Sequence, residues 1–347
     1  MIQIDFNAIV KDALFHYDRT KTIASITDIS ARVSTNHVYR IQLTDDNVLI
    51  AKLSYFGKYE HFVEDHTIIN SMANNLPYPF ENVLARSLIR GESLFVHRHQ
   101  SSFFDAWVVF YRPMKIKRKL PKIMSEEQIV KLARSFARFH KSCESIKNSL
   151  PPSSKTLEVD IQHLLDILET PEGEHEHRMH IGLIHDQCHH FLNNVNELGV
   201  GGLDMIPVFV DWNIGNFSVT SNFELFSRWD YDWFRMSSRM MDFYFFSRIV
   251  SQVGDKTTFS YEIDRLMEKR FILFLQAYHQ EYPLTEIEIR FLKEAYRFFL
   301  LNYVIKYGRY FFHEIFATRL QKEAYNEHLP GIDTRFNPDP LLQALNL

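Results

Sequence analysis

Two neighbouring segments set the architecture we expect for the whole chain: Pro207-Val-Phe-Val-Asp211-Trp-Asn-Ile-Gly-Asn216-Phe-Ser-Val219 and Trp229-Asp230-Tyr231-Asp232. In the first segment a short apolar run ends in a polar loop, an arrangement that holds a carboxylate at the rim of a core. A predicted hairpin, turned by Thr220-Ser-Asn222, joins the two segments. Carboxylate and amide oxygens are typical ligands of Mg²⁺. An Asp followed five residues later by Asn is common by chance, so the pattern gains weight only from the rest of the chain.

These are the residue types that phosphoryl transfer requires. A carboxylate orients the attacking hydroxyl, while an amide and a second carboxylate hold Mg²⁺ against the nucleotide phosphates. In this interpretation Asp211 orients the acceptor, Asn216 and Asp230 bind Mg²⁺, and Asp232 is a second acidic contact. The alternative is that Asp and Asn only make turn hydrogen bonds in surface loops. Two such loops flanking one hairpin, with a suitable lysine upstream, favour the functional interpretation.

The upstream lysine is Lys52, which ends the apolar run Leu49-Ile-Ala-Lys52. A lysine in a buried strand must find an anion or extend to water. We expect it to contact the nucleotide phosphates and to be held by Glu64 of the following helix, with Asp65 as the fallback. A solvent-exposed lysine at a strand end is the alternative.

A polar segment, Ser34-Thr35-Asn36, falls where a loop covering the nucleotide is expected. The chain has only 11 glycines, which excludes a Gly-rich phosphate loop of either common type. Backbone N–H groups, with the side chains of Ser34 and Asn36, can cradle phosphate without glycine. An ordinary polar hairpin turn fits these residues equally well.

The composition limits the class of protein. A length of 347 residues with 46% apolar content suits two lobes. A formal charge of −4 argues against a nucleic-acid partner. The two cysteines, Cys143 and Cys188, fit a reducing cytoplasm. We see no signal-peptide pattern and no apolar run near the ~20 residues of a membrane span, so we expect a cytoplasmic protein without a membrane partner.

The pattern of strands and helices changes near residue 112. Strand patterns cover residues 23–33, 38–43, 48–53, 94–97 and 107–111. Helical patterns cover residues 1–20 and 60–75, then a helix opened by the capping box at Ser125, then residues 157–169, 177–198, 239–253, 258–281 and 284–323. We predict an α+β fold with an N-terminal nucleotide-binding lobe (1–112) and a helical C-terminal lobe (113–347), loosely structured at 330–340.

A histidine-rich segment spans residues 174–190. His185 and His189 are spaced i, i+4 on a predicted helix, which can bind zinc. The H-E-x-x-H motif is absent, however, and neither histidine is close in sequence to the proposed site. A polar helix face is the favoured interpretation.

Several motifs together resemble the aminoglycoside phosphotransferase/choline kinase superfamily. The segment from Asp211 to Asn216 is similar to its His-Gly-Asp-x-x-x-x-Asn catalytic loop, and residues 229–232 are similar to its Ile-Asp-Phe/Trp-Glu/Asp metal motif. Asp242 matches an Asp that braces the catalytic loop in that family. Further family landmarks are matched by Ser34-x-Asn36-x-x-Tyr39, Leu76-Pro-Tyr-Pro79 and Arg138-Phe-His140. Two departures stand out: Phe209 replaces the usual His, and Arg228-Trp229 replaces an aliphatic pair.

The resemblance implies a protein-kinase-like, two-lobed fold with a small antiparallel sheet and a large helical lobe. It implies ATP or GTP as the phosphate donor, with the base against residues 109–114, including Tyr111, and with Mg²⁺ as the metal. A small-molecule hydroxyl would be the acceptor, bound by a monomer or a homodimer. The alternative is a pseudokinase that binds nucleotide and acts as a regulatory or interaction module. The intact set of Lys52, Asp211, Asn216 and Asp230 argues against that alternative.

Overall fold

A five-stranded antiparallel sheet forms the N-terminal lobe of the computed structural model, which describes residues 4–31, 35–253 and 260–347. The strand order is β1-β2-β3-β7-β6. The strands of this lobe are β1 Ile23–Asp28, β2 His37–Leu43, β3 Val48–Ser54, the short β4 Ile89–Arg90 and β5 Ser93–Leu94, β6 Val96–Gln100 and β7 Asp105–Tyr111. The register pairs Val38 with Lys52 and Lys52 with Val109, so Lys52 lies in the centre of the sheet.

Two helices pack on this sheet. Helix α1, Phe6–Tyr17, begins at the N-cap Asp5 and buries Ile9, Val10, Ala13 and Leu14, the apolar stripe expected from its spacing. Helix α2, Tyr59–Asn75, ends before Pro77 and buries Ile68, Ile69 and Met72. These three side chains belong to the same core cluster as the C-terminal helices, so α2 is packed against both lobes.

The C-terminal lobe is mainly helical. Its longest helix begins with a complete capping box, in which Ser125 and Gln128 satisfy each other's backbone N–H groups. The α-helices of this lobe are α3 Glu126–Ile146, α4 Leu157–Leu168, α5 Pro171–His177, α6 Ile181–Glu197, α7 Phe243–Val250, α8 Lys269–Glu281, α9 Glu286–Phe299, α10 Gly308–Phe311, α11 Glu314–Glu323, α12 Leu329–Arg335 and α13 Asp339–Leu345.

Four short strands position the two polar loops. Strand β8, Ile206–Val208, pairs with β11, Arg235–Ser237. Strand β9, Phe217–Val219, forms the predicted hairpin with β10, Leu225–Arg228. The 209–216 loop leaves β8 and enters β9, whereas the 229–234 loop leaves β10 and enters β11. The two loops are therefore brought side by side by strands that pair with each other.

Two predictions about the C-terminal region were wrong. Residues 284–323 do not form one helix, because α9 passes into a π-helical turn at Leu300–Lys306 and the chain breaks at Tyr307 and Phe312. Residues 330–340 are not loose. Pro340 stands in the first turn of α13, where the missing N–H of proline costs nothing, and Pro330 is the second residue of α12, which directly follows the π-helical turn Ala324–His328.

Three other element boundaries differ from those predicted. The first strand ends at Asp28, helix α6 begins at Ile181, and α8 begins at Lys269 after the 3₁₀ turn Ile263–Met267. The division into lobes at residues 112/113 stays a prediction. Within the described residues, no helix is both long enough and apolar enough to cross a membrane.

Candidate active site

The 209–216 loop holds Asp211 in a defined position. Its Oδ2 accepts a hydrogen bond from Nδ2 of Asn216 at 2.9 Å, and its Oδ1 accepts one from the backbone N of Asn213 at 3.2 Å. The amide of Asn216 therefore turns its nitrogen towards Asp211 and its oxygen away from it. The structure thus brings together the predicted catalytic carboxylate and one predicted metal ligand.

A buried aspartate braces this loop from below. Oδ1 of Asp242 accepts hydrogen bonds from the backbone N of Phe209 at 3.0 Å and of Val210 at 2.6 Å. Its Oδ2 lies 3.0 Å from Nε2 of the buried His140. Val210 has a φ of 60°, which costs a β-branched residue about 1–3 kcal/mol. Asp242 thus holds strained backbone next to Asp211, in the bracing position that the resemblance implied.

Arg228 supports the same loop from the other side. Its guanidinium donates to the backbone O of Asp211 at 2.8 Å and of Asn216 at 3.2 Å. The guanidinium carbon also lies 5.0 Å from the ring centroid of Phe209 and 4.9 Å from that of Trp212. The two departures from the family pattern, Phe209 and Arg228, are therefore in contact. Their cation–π pair packs against the 209–216 loop.

Lys52 faces the 229–234 loop. Its Nζ donates to Oδ1 of Asp230 at 2.9 Å and forms an ion pair with Asp232. Desolvation would raise the pKa of Asp230, but the ammonium of Lys52 outweighs it and holds that pKa at about 2. For Asp232 desolvation dominates over Lys52 and raises the pKa to about 7. The carboxylate that points into solvent is thus fully ionised, and the deeper one is poised to exchange a proton.

Asn36 also contacts the group formed by Lys52, Asp230 and Asp232. Its Nδ2 donates to Oδ2 of Asp232, and its Oδ1 accepts from Oγ of Ser54 at 3.4 Å. Thr35 beside it donates its backbone N to the backbone O of Phe311 at 3.3 Å, so this loop touches the helical lobe. The other predicted loop residue, Ser34, lies outside the described residues.

The predicted pairing of Lys52 with Glu64 was wrong. Oε1 of Glu64 accepts hydrogen bonds from Oγ of Ser153 at 2.7 Å and from the backbone N of Ser154 at 2.8 Å. The fallback, Asp65, pairs instead with Lys155, whose Nζ lies 2.6 Å from Oδ1 of Asp65. The phase of α2 turns both carboxylates towards the loop before α4, because its apolar stripe must face the core.

His66 of α2 contacts Tyr111, a residue that lines the same cleft as Lys52. Its Nε2 lies 2.5 Å from the phenolic oxygen of Tyr111, the last residue of β7. Burial lowers the pKa of His66 to about 3, so its imidazole is neutral at physiological pH. His66 therefore fixes the position of Tyr111, which the sequence had placed against the nucleotide base.

A cleft of about 880 Å³ joins these groups. One end is apolar and is formed by the sheet and the chain connection, with Ile29, Val38, Val48, Ile50, Ala85, Tyr111 and Met114. The polar middle contains Lys52, Asp211, Asn216, Asp230 and Asp232. The far end is aromatic and consists of Trp233, Tyr261, Phe311 and Phe312. The volume suits a nucleotide together with a further small molecule.

The histidines of residues 174–190 have structural contacts. Nδ1 of the buried His177 lies 2.8 Å from the hydroxyl oxygen of Tyr325, and His180 stacks on the same ring at 4.2 Å between centroids. The ring centroids of His185 and His189 are 6.3 Å apart. These two histidines are not in the group of described residues that has metal-ligand spacing.

Comparison with known proteins identifies solved structures that have this architecture. Neither a protein-family model nor a curated protein sequence matches the chain. Among solved structures, it is similar to an amicoumacin kinase in complex with AMP-PNP, Ca²⁺ and Ami, with a TM-score of 0.64 and 12% identity over 97% of both chains. It is also similar to a microcompartment-associated aminopropanol kinase, with a TM-score of 0.61 and 13% identity over 92% of this chain and 94% of that one.

A third similar structure is the ternary complex of the phosphotransferase APH(2")-IIa with streptomycin and ATP, with a TM-score of 0.55 and 13% identity. That match covers 96% of this chain and 99% of the other. At this identity the similarity shows the fold. The chain has the two-lobed, protein-kinase-like fold of small-molecule kinases, which confirms the fold class that the resemblance implied.

Sequence reasoning missed two residues of this region. Arg228 was predicted only to depart from the family pattern, although an arginine at the end of an otherwise apolar strand indicates a buried hydrogen-bond or ion-pair partner. Lys155 carried no signal in the sequence, because it stands in an irregular segment and its partners are distant along the chain.

Proposed function

We propose that this protein is an ATP- or GTP-dependent phosphotransferase that moves the γ-phosphate to a hydroxyl of a small molecule. The observation that carries the proposal is the convergence of Lys52 from β3, the Asp211–Asn216 pair and the Asp230–Asp232 pair in the middle of one cleft. This set supplies positioning and charge neutralisation, the two contributions that phosphoryl transfer needs from a protein.

The residues fit a magnesium ion. Asp230, Asp232 and Asn216 offer hard oxygen donors, and burial, with the Asp230 carboxylate beside it, raises the pKa of Asp232 to about 7, so that a bound cation would favour its ionised form. We assign these three residues to the metal. When bound, Mg²⁺ would neutralise the charge on the nucleotide phosphates.

The chain's own residues supply the remaining roles. Lys52 exchanges its carboxylate partners for the nucleotide phosphates, which its burial and its strand anchor allow without moving the sheet. Asp211, held by Asn213 and Asn216, accepts a hydrogen bond from the acceptor hydroxyl and orients it. The base lies at the apolar end of the cleft, beside Tyr111.

The acceptor binds at the aromatic end of the cleft. The largely buried rings of Trp233, Tyr261, Phe311 and Phe312 border the cleft that also contains three carboxylates. Ring faces attract apolar surfaces and organic cations. We therefore assign the acceptor to small hydroxyl compounds that carry an apolar or amino-bearing part. The solved structures of similar fold include kinases named for amicoumacin and aminopropanol and a complex with streptomycin.

A second candidate function is a nucleotide-binding module without turnover. One observation favours it: Lys52 occupies both metal-binding carboxylates, and Asn36 also donates to Asp232. In this arrangement the protein's own cation stands where a metal ion would be needed.

Calorimetric titration of ATP and GTP, with and without Mg²⁺, tests the proposal. We expect metal-dependent binding by the wild type that weakens at least about tenfold in Asp230→Asn. Asp211→Asn is the matched control: it should bind nucleotide like the wild type but lose about 10²–10⁴-fold in turnover with a small hydroxyl acceptor, followed as ADP release. Folded wild type that binds neither nucleotide contradicts both candidates, and binding without ADP release over a broad acceptor panel favours the second.

A further inference from the structure

Two imidazoles and a carboxylate meet on the N-terminal lobe, outside the set of residues that line the cleft. Asp12 and His16 lie one turn apart on α1, and His97 lies on the edge strand β6. One nitrogen of each imidazole and one carboxylate oxygen lie within 4.8 Å of one another. Two histidines and one carboxylate are a common ligand set for first-row divalent metals.

The distances within this group suit a metal. Nε2 of His97 lies 3.1 Å from Oδ2 of Asp12, and Nδ1 of His16 lies 3.4 Å from Oδ1 of Asp12. A tetrahedral zinc ion, with bonds of about 2.0–2.1 Å, separates neighbouring donor atoms by about 3.3 Å. The two imidazole rings are 4.9 Å apart between centroids. Nε2 of His97 and Oδ2 of Asp12 thus already have the spacing of two zinc ligands, and His16 completes the group within 4.8 Å.

Burial divides the group into an anchor and two adjustable ligands. The side chain of His97 is 13% exposed, whereas those of Asp12 and His16 are 48% and 52% exposed. Exposed side chains can rotate to close the remaining gap, and they leave coordination positions open to water. Nδ1 of His16 also lies 2.9 Å from the backbone O of Asp12, a contact that the exposed ring would exchange for the metal.

The state of His97 also fits a ligand. Its Nε2 is buried and lies 3.1 Å from Oδ2 of Asp12, so a metal ion held by these two atoms would replace the proton that they share.

We propose that Asp12, His16 and His97 form a zinc-binding site that fastens helix α1 to the edge strand β6. The aspartate supplies the negative charge and the two imidazoles supply the nitrogen donors. Because α1 covers one end of the sheet that carries Lys52, a bound ion stabilises the N-terminal lobe from outside the cleft. This site does not depend on the proposed phosphotransferase function.

Calorimetric titration of metal-stripped protein with ZnCl₂ tests the proposal, with excess Mg²⁺ present to occupy the cleft carboxylates. We expect one Zn²⁺ per chain. His97→Ala should weaken binding at least about 100-fold, since loss of even an outer-shell partner costs about 10- to 100-fold. The matched control is His99→Ala, two residues along the same strand, which should bind like the wild type.

A second variant keeps the test informative if His97→Ala does not fold. His16→Ala changes an exposed side chain and should leave the fold intact while it removes zinc binding and the zinc-dependent rise in melting temperature. Absence of zinc binding by the wild type would overturn the proposal. So would wild-type affinity in both His16→Ala and His97→Ala, or an equal loss in His99→Ala.

Discussion

Two clusters of carboxylates and cations meet at the segment from Asp230 to Arg235, and they differ in what they face. The cleft cluster consists of Lys52, Asp230 and Asp232 and borders the 880 Å³ cleft. The strut cluster consists of Asp65, Lys155, Asp160, Arg235 and Lys306 and lies between α2, α4 and the π-helical turn at Leu300–Lys306. The cleft cluster and the strut cluster thus contain similar residue types in two different environments.

The strut cluster ties the lobes together. Nζ of Lys155 reaches Asp65 of α2 and also donates to the backbone O of Phe234 at 2.7 Å. Arg235 pairs with Asp160 at 3.0 Å, and Lys306 donates to the backbone O of Asp160 at 2.8 Å. Helix α2 is therefore held by the C-terminal lobe.

The cleft cluster is less enclosed. The side chain of Asp230 is 42% exposed, against 11% for Asp65 in the strut cluster, while Asp232 is 13% exposed. A carboxylate that opens into a large cleft can exchange its partner for a ligand more readily than one beside a cavity of only about 100 Å³, which Asp65, Lys155, Asp160 and Arg235 line. The difference teaches that exposure, more than residue type, separates a binding cluster from a structural one.

Breaking the strut cluster should have the largest effect on stability. Lys155→Met leaves Asp65, whose pKa is already raised to about 6 by burial, to take up a proton in the interior and removes the hydrogen bond to the backbone O of Phe234, so we expect a loss of about 2–4 kcal/mol in the free energy of unfolding, measured by urea denaturation. Asp65→Leu combined with Lys155→Met removes both charges and should recover most of the loss. Lys147→Met, at the exposed pair with Asp204, is the control and should cost less than about 1 kcal/mol. A similar loss in both single variants would contradict the assignment.

Breaking the cleft cluster should have a smaller and reversible effect. In Lys52→Met, solvent screens Asp230 and a proton can neutralise Asp232, so we expect a loss of about 1–2 kcal/mol without metal. Mg²⁺ should restore the melting temperature of Lys52→Met, because the ion replaces the missing positive charge. It should not restore that of Lys155→Met. Equal responses of the two variants to Mg²⁺ would remove the distinction between the clusters.

The smallest expected effect is on pH dependence. Because the pKa of Asp232 is raised to about 7, its carboxylate holds a proton below that pH and must release it to bind a cation. Affinity for the Mg²⁺–nucleotide complex should therefore fall about tenfold from pH 8 to pH 6. Asp232→Asn should lack this part of the dependence. The ratio of the two proteins' affinities at each pH cancels the ionisation of the nucleotide itself, and a constant ratio would show that Asp232 does not titrate there.

The cleft cluster was largely predictable from the sequence, whereas the strut cluster was not. Lys52 lies in a predicted strand, and Asp230 and Asp232 lie in a predicted loop with the spacing on which the prediction rested. Their convergence follows from the sheet and the two hairpin-linked loops. The pairing of Glu64 failed because a spacing of twelve residues does not specify the rotational phase of a helix. That phase is set by the burial of Ile68, Ile69 and Met72.

The fold class was also predictable, but the course of the C-terminal helices was not. Periodicity alone made residues 284–323 one helix, since apolar side chains continue through Tyr307 and Phe312, although Gly308 was a local signal of a break. The prolines at 330 and 340 suggested a loose segment, although proline is equally compatible with the first turn of a helix. The distinction depends on packing, which no local pattern reports.

The contact between Arg228 and the catalytic loop has a consequence for acid tolerance. Burial lowers the pKa of Arg228, yet a guanidinium does not lose its proton in the physiological range, unlike the imidazole that Phe209 replaces. The support beneath Asp211 is therefore constant, while Asp232 nearby takes up a proton in mild acid. Under the proposed function, mild acid should silence this protein by emptying the proposed metal site while the loop keeps its shape, so that neutralisation returns full activity without refolding.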